Sequence, residues 1–188
     1  MDYAYDLNRY QKYVFDSDKK TTNQEMLAFD DVLLVPQYSK VESRSSVDLS
    51  QNLNSNIKLN IPIISSPMDT VTEIEMACAM ADLGGLGIIH RYNTSEVQAA
   101  MVHNVTMKGA PNAAAAIGVT GEFKERASEL VRAGANILCL DVAHGHHVLM
   151  ERALKTLKDI YGKDVHLMAG NVATLEGFND LADWGADS

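Results

Sequence analysis

Three short stretches of this chain hold residues whose types and spacing can do chemistry. The first is Ser65-Ser66-Pro67-Met68-Asp69-Thr70-Val71-Thr72-Glu73, which follows an apolar run at 61–64 and leads into a helical pattern at 74–83. Hydroxyls and backbone N–H groups beside a helix start can hold a phosphate or the edge of a base. The other reading of that stretch is a structural turn with Asp69 as a local cap. The second stretch is Asp141-Val142-Ala143-His144-Gly145-His146-His147, a carboxylate followed by three imidazoles. A metal site is one reading, but adjacent His146 and His147 do not readily face one ion, and no Cys or Glu completes a set. Asp141 as an acceptor for a ligand hydroxyl is the better chemistry, because an ionised carboxylate only accepts and can fix a diol. A solvated loop is the plain alternative. The third stretch is Gly170-Asn171-Val172-Ala173-Thr174, where an amide that donates and accepts at once can orient a polar ligand.

Other familiar chemistries are missing from the sequence. Gly84-Gly85-Leu86-Gly87 precedes a strand, whereas a dinucleotide fingerprint follows one, so these glycines read as a helix stop and a close-packing site. There is no Gly-x-Ser-x-Gly elbow and no Walker loop. Cys78 and Cys139 sit inside apolar segments and read as buried free thiols of a reducing cytosol, not as nucleophiles.

All three stretches occupy the same place in a repeating grammar. Apolar runs at 61–64, 86–89, 113–119, 137–140 and 165–169 predict strands. Helical patterns at 74–83, 95–102, 123–133, 147–161 and 175–184 follow them, with Thr72, Thr94 or Ser95, and Thr174 as N-caps and Gly84, Gly134 and Gly185 as stops. Short, nearly all-apolar strands are buried on both faces, which indicates a parallel sheet. Two architectures fit, an open doubly wound sheet or part of a (β/α)8 barrel, whose full length is about 250 residues. The sequence stops where another strand is due, so the expectation is an incomplete barrel of five strand–helix units. Residues 1–25 read as a polar arm, and residues 26–188 as the partial barrel domain. Val32-Leu33-Leu34-Val35, stopped by Pro36, suits a strand or an extended cap, and 38–60 an irregular or hairpin segment. In either architecture, ligands bind where the loops at the carboxyl ends of the strands converge.

Composition bounds the partners. The 188 residues are 46% hydrophobic and 22% charged, with a net charge of −9. That suits a soluble globular domain and disfavours nucleic-acid binding, since no basic cluster offsets the charge. No apolar run reaches the roughly 20 residues that span a bilayer. The polar start of the chain has no signal-peptide core.

Five motifs in order carry a resemblance. They are Leu27-Ala28-Phe29-Asp30-Asp31-Val32-Leu33-Leu34-Val35-Pro36, the Ser-Ser-Pro-Met-Asp-Thr-Val-Thr-Glu stretch, Gly84-Gly85-Leu86-Gly87-Ile88-Ile89-His90, Asp141-Val142-Ala143-His144-Gly145-His146 and Ala169-Gly170-Asn171-Val172-Ala173-Thr174. Together, from Met26 to the last residue, they resemble the IMP dehydrogenase / GMP reductase family. The resemblance implies a (β/α)8 barrel that binds a purine mononucleotide, IMP or GMP, and a nicotinamide dinucleotide at the carboxyl ends of its strands. By position, Ser66 and Met68 resemble residues lining the nucleotide pocket, and Asn171 the amide near the reacting base. Asp141 matches the carboxylate near the nicotinamide ribose, and Gly170 the backbone position that lets the ligand approach closely.

The resemblance also implies what this sequence lacks. The family's catalytic cysteine lies in a loop after the sixth strand, beyond Ser188, so no catalytic residue is expected in this chain, and the chain alone is expected to be inactive. The paired nucleotide-sensing (CBS-pair) module that many dehydrogenases insert after the second helix is absent. The expected cofactor is NAD, or NADP for a reductase, and any potassium ligands are expected beyond Ser188. The expected partners are a C-terminal complement of the barrel and, once complete, copies of the same protein in a cytoplasmic homotetramer. The second and third motifs look more like the dehydrogenases. Glu42-Ser43-Arg44-Ser45-Ser46-Val47-Asp48-Leu49 and the missing module look more like the reductases. The favoured reading is the N-terminal part of an IMP dehydrogenase. A GMP reductase and a non-catalytic nucleotide-binding subunit are the alternatives.

Overall fold

A computed structural model describes residues 27–188, so the arm expected at 1–25 lies outside the described residues. The chain divides into two units, one ending at Val47 and the other running from Asp48 to Ser188. In the first, two single turns of 3-10 helix form at Phe29–Asp31 and Arg44–Ser46. Each is fixed by a local side-chain acceptor: Asp31 takes the N–H of Ala28, and the Ser43 hydroxyl takes that of Ser45. The Val32–Val35 run expected as a strand or extended cap belongs to no strand, and Leu33 and Leu34 are almost fully exposed.

The second unit opens with a hairpin, β1 (Gln51–Asn52) antiparallel to β2 (Lys58–Leu59). Its turn is shaped by Asn54, whose side-chain oxygen accepts from the N–H groups of Asn56 and Ile57. Five parallel strands follow: β3 (Ile64–Ser65), β4 (Leu86–Ile89), β5 (Ala114–Ile117), β6 (Ile137–Asp141) and β7 (His166–Gly170). Each pairs with its successor in the order β3-β4-β5-β6-β7. A doubly wound sheet would reverse its order at a switch point. This order never reverses, so the sheet is an arc of a parallel barrel, as the strand–helix repeat indicates. The helices between and after the strands are α1 (Ile74–Asp82), α2 (Ser95–Met107), α3 (Phe123–Arg132), α4 (Val148–Tyr161) and α5 (Leu175–Asp183). β3 is shorter than its apolar run because it has a single neighbour and Pro62 supplies no N–H.

The strand faces alternate cleanly. Ile89, Ala115, Ile117, Leu138, Leu140 and Leu167 join the core beneath the helices. Leu86, Ile88, Ala114, Ala116, Ile137 and Cys139 point the other way and pack with Ile57 and Leu59 of the hairpin. The hairpin sits at the amino-terminal end of the arc, because the Asn54 amide reaches His166, the first residue of β7, at 2.8 Å. The opposite rim is left to the loops. Gly87 shows how tightly the layers meet, since a Cβ there would stand 2.6 Å from the Ala77 Cα of α1. Gly84 ends α1 at φ +83°, a left-handed stop that a side chain would resist.

Two polar groups hold this arrangement from inside. Gln98 of α2 is fully buried. Its amide donates to the carbonyls of Ile89 (3.3 Å) and Ala116 (2.8 Å), and its oxygen accepts from the Arg126 guanidinium at 2.7 Å. Arg126 also donates to the Asn93 carbonyl. One amide thus ties β4, β5, α2, α3 and the loop after β4. His166 plays the matching part at the other end, with one ring nitrogen 2.8 Å from the Asn54 amide and the other 2.8 Å from the Ser188 hydroxyl. The Asn54 amide nitrogen can only donate, so His166 Nδ1 accepts and Nε2 carries the proton.

Replacing Gln98 by Ala is expected to lower unfolding stability by about 1–3 kcal/mol, because the charged Arg126 group loses a buried acceptor. Denaturant titration checks this, and an unchanged midpoint would refute it. His166 predicts a pH dependence. Burial lowers its proton affinity, with Lys158 adding to the effect and Asp187 opposing it. An imidazole that takes up a proton less readily when folded contributes fully at pH above its unfolded value. Its contribution is lost as pH falls below about 6.5, where the unfolded chain protonates first. His166→Gln is expected to flatten the stability profile between about pH 7 and pH 5 relative to the parent.

Candidate functional site

Parallel register brings the ends of all five strands to one rim. Ser65 pairs with Gly87, Ile89 with Ala115, Ile117 with Leu140, and Asp141 with Gly170. The loops that leave these residues carry every candidate from the sequence. They fall into two groups separated along the arc.

The first group is the loop after β3. Ser66 and Met68 are exposed there, Met68 to 50%. The loop is held by its own backbone: Met68 N–H donates to the Ser66 carbonyl, and Val71 and Thr72 donate to that of Met68. Thr72 does not cap α1 as expected. It is completely buried, and its hydroxyl donates to the Ser66 carbonyl at 2.7 Å while sharing a hydrogen bond with the Ser65 hydroxyl at 2.9 Å. Glu73 takes the N-cap position without a side-chain cap bond, so Asp69 is not the cap either. The Glu73 carboxylate instead meets His90 Nε2 at 3.1 Å. His90 Nδ1 accepts from the Tyr92 N–H, so Nε2 is the protonated nitrogen and donates to Glu73. Buried His90 therefore links the loops after β3 and β4.

The second group joins the loops after β6 and β7. Val142 N–H donates to the Gly170 carbonyl, and Asn171 N–H donates back to that of Val142 at 2.8 Å. The Asn171 amide donates to the same Val142 carbonyl at 3.0 Å, which orients the side chain and leaves its oxygen free to accept. Gly145 N–H then donates to the Asn171 carbonyl at 2.7 Å. Asp141 stands at the end of β6, and its carboxylate has no hydrogen-bond partner among the described residues. Gly170, opposite it, has open space where a side chain would stand. Asp141, Gly170 and Asn171 are thus brought together, while Ser66 and Met68 lie three strand positions from Asp141.

The imidazoles after Asp141 diverge. His146 Nε2 meets Asp180 Oδ2 at 2.7 Å, and His147 Nδ1 accepts from the Leu149 N–H at the start of α4. Among the described residues no three metal-ligating side chains cluster. Neither cysteine reaches the rim group. Cys78 lies within α1, and Cys139 is buried in the inner core, its thiol pushed up to about 12 by burial and by the charge of Asp141. A thiol so protonated is a poor nucleophile.

A separate polar cavity of about 430 Å³ lies between the starts of α2 and α3, lined by Arg91, Thr120, Phe123, Arg126 and Glu129 among others. Arg91 Nε and Glu129 Oε2 are buried without a hydrogen-bond partner among the described residues. Arg91 Nη2 approaches the Asp141 carbonyl at 3.5 Å, so this cavity adjoins the rim.

The sequence did not show the parts that Thr72, His90, Gly145 and Asp180 play in holding these loops. Gly145 had a visible signal, a glycine set between imidazoles in a loop that carries a carboxylate. A Cβ there would stand 2.9 Å from the Asn171 carbonyl oxygen and 3.0 Å from the Gly170 carbonyl carbon. Gly145→Ala is expected to force the two loops apart and to cost about 1–3 kcal/mol, as overpacking does. Thermal unfolding checks this, and a variant as stable as its parent would refute the tight contact.

Comparison with known proteins agrees with this geometry. A family model described as IMP dehydrogenase / GMP reductase domain matches residues 26–188. The inosine-5'-monophosphate dehydrogenase of Cryptosporidium parvum is 38% identical over 86% of this chain and 50% of its own length. That of Nitrosopumilus maritimus is 30% identical over 88% of this chain and 60% of its own. The GMP reductase of Leishmania major is 28% identical over 88% of this chain and 61% of its own. The chain spans about half the length of the curated relatives it matches. The family match covers every rim loop described above, and the chain belongs to the IMP dehydrogenase / GMP reductase family.

Proposed function

We propose that this chain supplies one wall of the nucleotide and cofactor site of an NAD-dependent IMP dehydrogenase, which oxidises IMP to XMP. The observation that carries the reading is the convergence of Asp141, Gly170 and Asn171 at the carboxyl rim, where the Asp141 carboxylate has no hydrogen-bond partner among the described residues. Asp141 would accept the hydroxyls of the nicotinamide ribose, and open space at Gly170 would let the ligand approach the backbone. The residues present therefore fit a dinucleotide on these two features. Bound there, NAD would accept a hydride from the purine.

The chain's own residues bind and orient. Asn171, its amide held by Val142, would present its oxygen to a donor on the base. Ser66 and Met68 would shape the pocket from the loop after β3. No cysteine of this chain stands at the rim, so the attacking thiol would come from further barrel strands. Those strands, as a C-terminal complement, are the proposed partner. Among the described residues β3 and β7 each have one neighbour in the sheet, and such edges favour pairing with further strands. The complete protein is proposed to be a cytoplasmic homotetramer.

GMP reductase, with NADPH, is the second reading. It is favoured by the Leishmania major relative, which matches over a similar share of this chain at 28% identity. The dehydrogenase reading rests on relatives at 38% and 35% identity. Open strand edges weigh against a stand-alone binding subunit. The chain alone is expected to show no turnover, since loss of a nucleophile typically costs several orders of magnitude. Combined with the remaining barrel strands, it is expected to form NADH only when IMP and NAD are both present. NADPH consumption with GMP would establish the reductase instead. Turnover by the chain alone that vanishes when Cys78 and Cys139 are both replaced by Ala would overturn this assignment of the nucleophile.

A further inference from the structure

The loop between Asp141 and α4 is fastened at a point that the binding reading does not use. His146 leaves the rim and turns towards α5, where its Nε2 meets Asp180 Oδ2 at 2.7 Å. Its ring packs against Trp184 with centroids 5.9 Å apart. Gly177 of α5 makes room, since a Cβ there would stand 3.3 Å from the Cβ and Cγ of His146. Gly177 is itself set at the start of the helix by donating its N–H to the Thr174 hydroxyl. The residue just before His146 is Gly145, whose N–H holds the Asn171 carbonyl. Asn171 in turn is bonded twice to Val142, one residue beyond Asp141.

These bonds close a ring: Asp141–Val142, Asn171, Gly145, His146, and α5 through Asp180, with α5 returning to Asn171 through the chain at 171–174. Gly145 has no side chain to hold it in place. The side chain that follows it, His146, ties the loop to α5 through its bond to Asp180. We propose that His146 is a positioning residue that, through Asp180, fixes the Gly145–Asn171 contact and so sets the aim of Asn171 beside Asp141. Side-chain exposures of 30% and 40% make the pair a clasp of moderate strength, not a buried ion pair. Such a support shell is what holds a binding group within the tolerance that recognition needs. The consequence for nucleotide affinity rests on the function proposed above, whereas the clasp stands on geometry alone.

The test is residue-resolved amide hydrogen exchange on the 188-residue chain. Asp180→Ala is expected to speed exchange about tenfold at Gly145 and Asn171 while leaving Ala115 and Leu138 of the central strands unchanged. Asp180→Asn keeps an oxygen that accepts from His146 and is expected to restore most of the protection. If Asp180→Ala does not fold, His146→Phe carries the same measurement, because it keeps a ring against Trp184 and loses the hydrogen bond. Unchanged exchange at Gly145 and Asn171, or an equal rise across the central strands, would overturn the clasp. With IMP as probe and the remaining barrel strands supplied, the Asp180→Ala protein is expected to bind about fivefold more weakly. A parent that binds no IMP when so completed would count against the functional reading, while the exchange result still decides the clasp.

Discussion

Everything in the barrel arc depends on one constraint, that a parallel strand is covered on both faces. The outward residues of β4 to β7 are covered by the helices. The inward residues would face empty space in an arc of five strands if nothing filled it. Ile57 and Leu59 of the hairpin meet them at the amino-terminal end, and Asn54 locks the hairpin to His166. Among the described residues the interior is therefore covered from below, and the loops gather at the carboxyl rim. The small side chains Ala114, Ala115 and Ala116 and the bare backbone of Gly87 let the layers come this close.

The same constraint explains how polar groups are spent. Burying both faces leaves little water to satisfy polar atoms, so the few inside are multiply bonded. Gln98 serves two strand carbonyls and a guanidinium. Thr72 and His90 serve loops, not helices. At the rim the balance changes: backbone bonds between Val142, Gly145 and Asn171 consume the local donors, while among the described residues the Asp141 carboxylate and the Asn171 oxygen are left over. Those leftover acceptors are what a ligand rich in hydroxyl and N–H groups would find.

Much of this was legible in the chain itself. Strand–helix alternation, the glycine stops and the all-apolar strands at 86–89 and 137–140 specify a parallel sheet, because period and length leave little else that buries them. The placement of Asp141 and Asn171 at strand ends follows from the same pattern, and the five motifs point to the family. Thr94 and Thr174 cap their helices as their positions indicate. Thr72 does not, because the demand of a buried loop for its hydroxyl outweighs capping.

What tertiary structure alone decided are the pairings between residues far apart in the chain. Strand order separated a barrel arc from a doubly wound sheet, two folds whose local patterns are the same. Asp180 reads as an ordinary helix carboxylate until packing brings it to His146, and the glycine set between imidazoles at 145 has no visible partner until the Asn171 carbonyl lies against it. Periodicity encodes which face of an element is buried, so the chain determined its layers and its rim by itself. It does not encode which polar atom meets which across those layers, since such contacts are set by register and by the distance between packed elements.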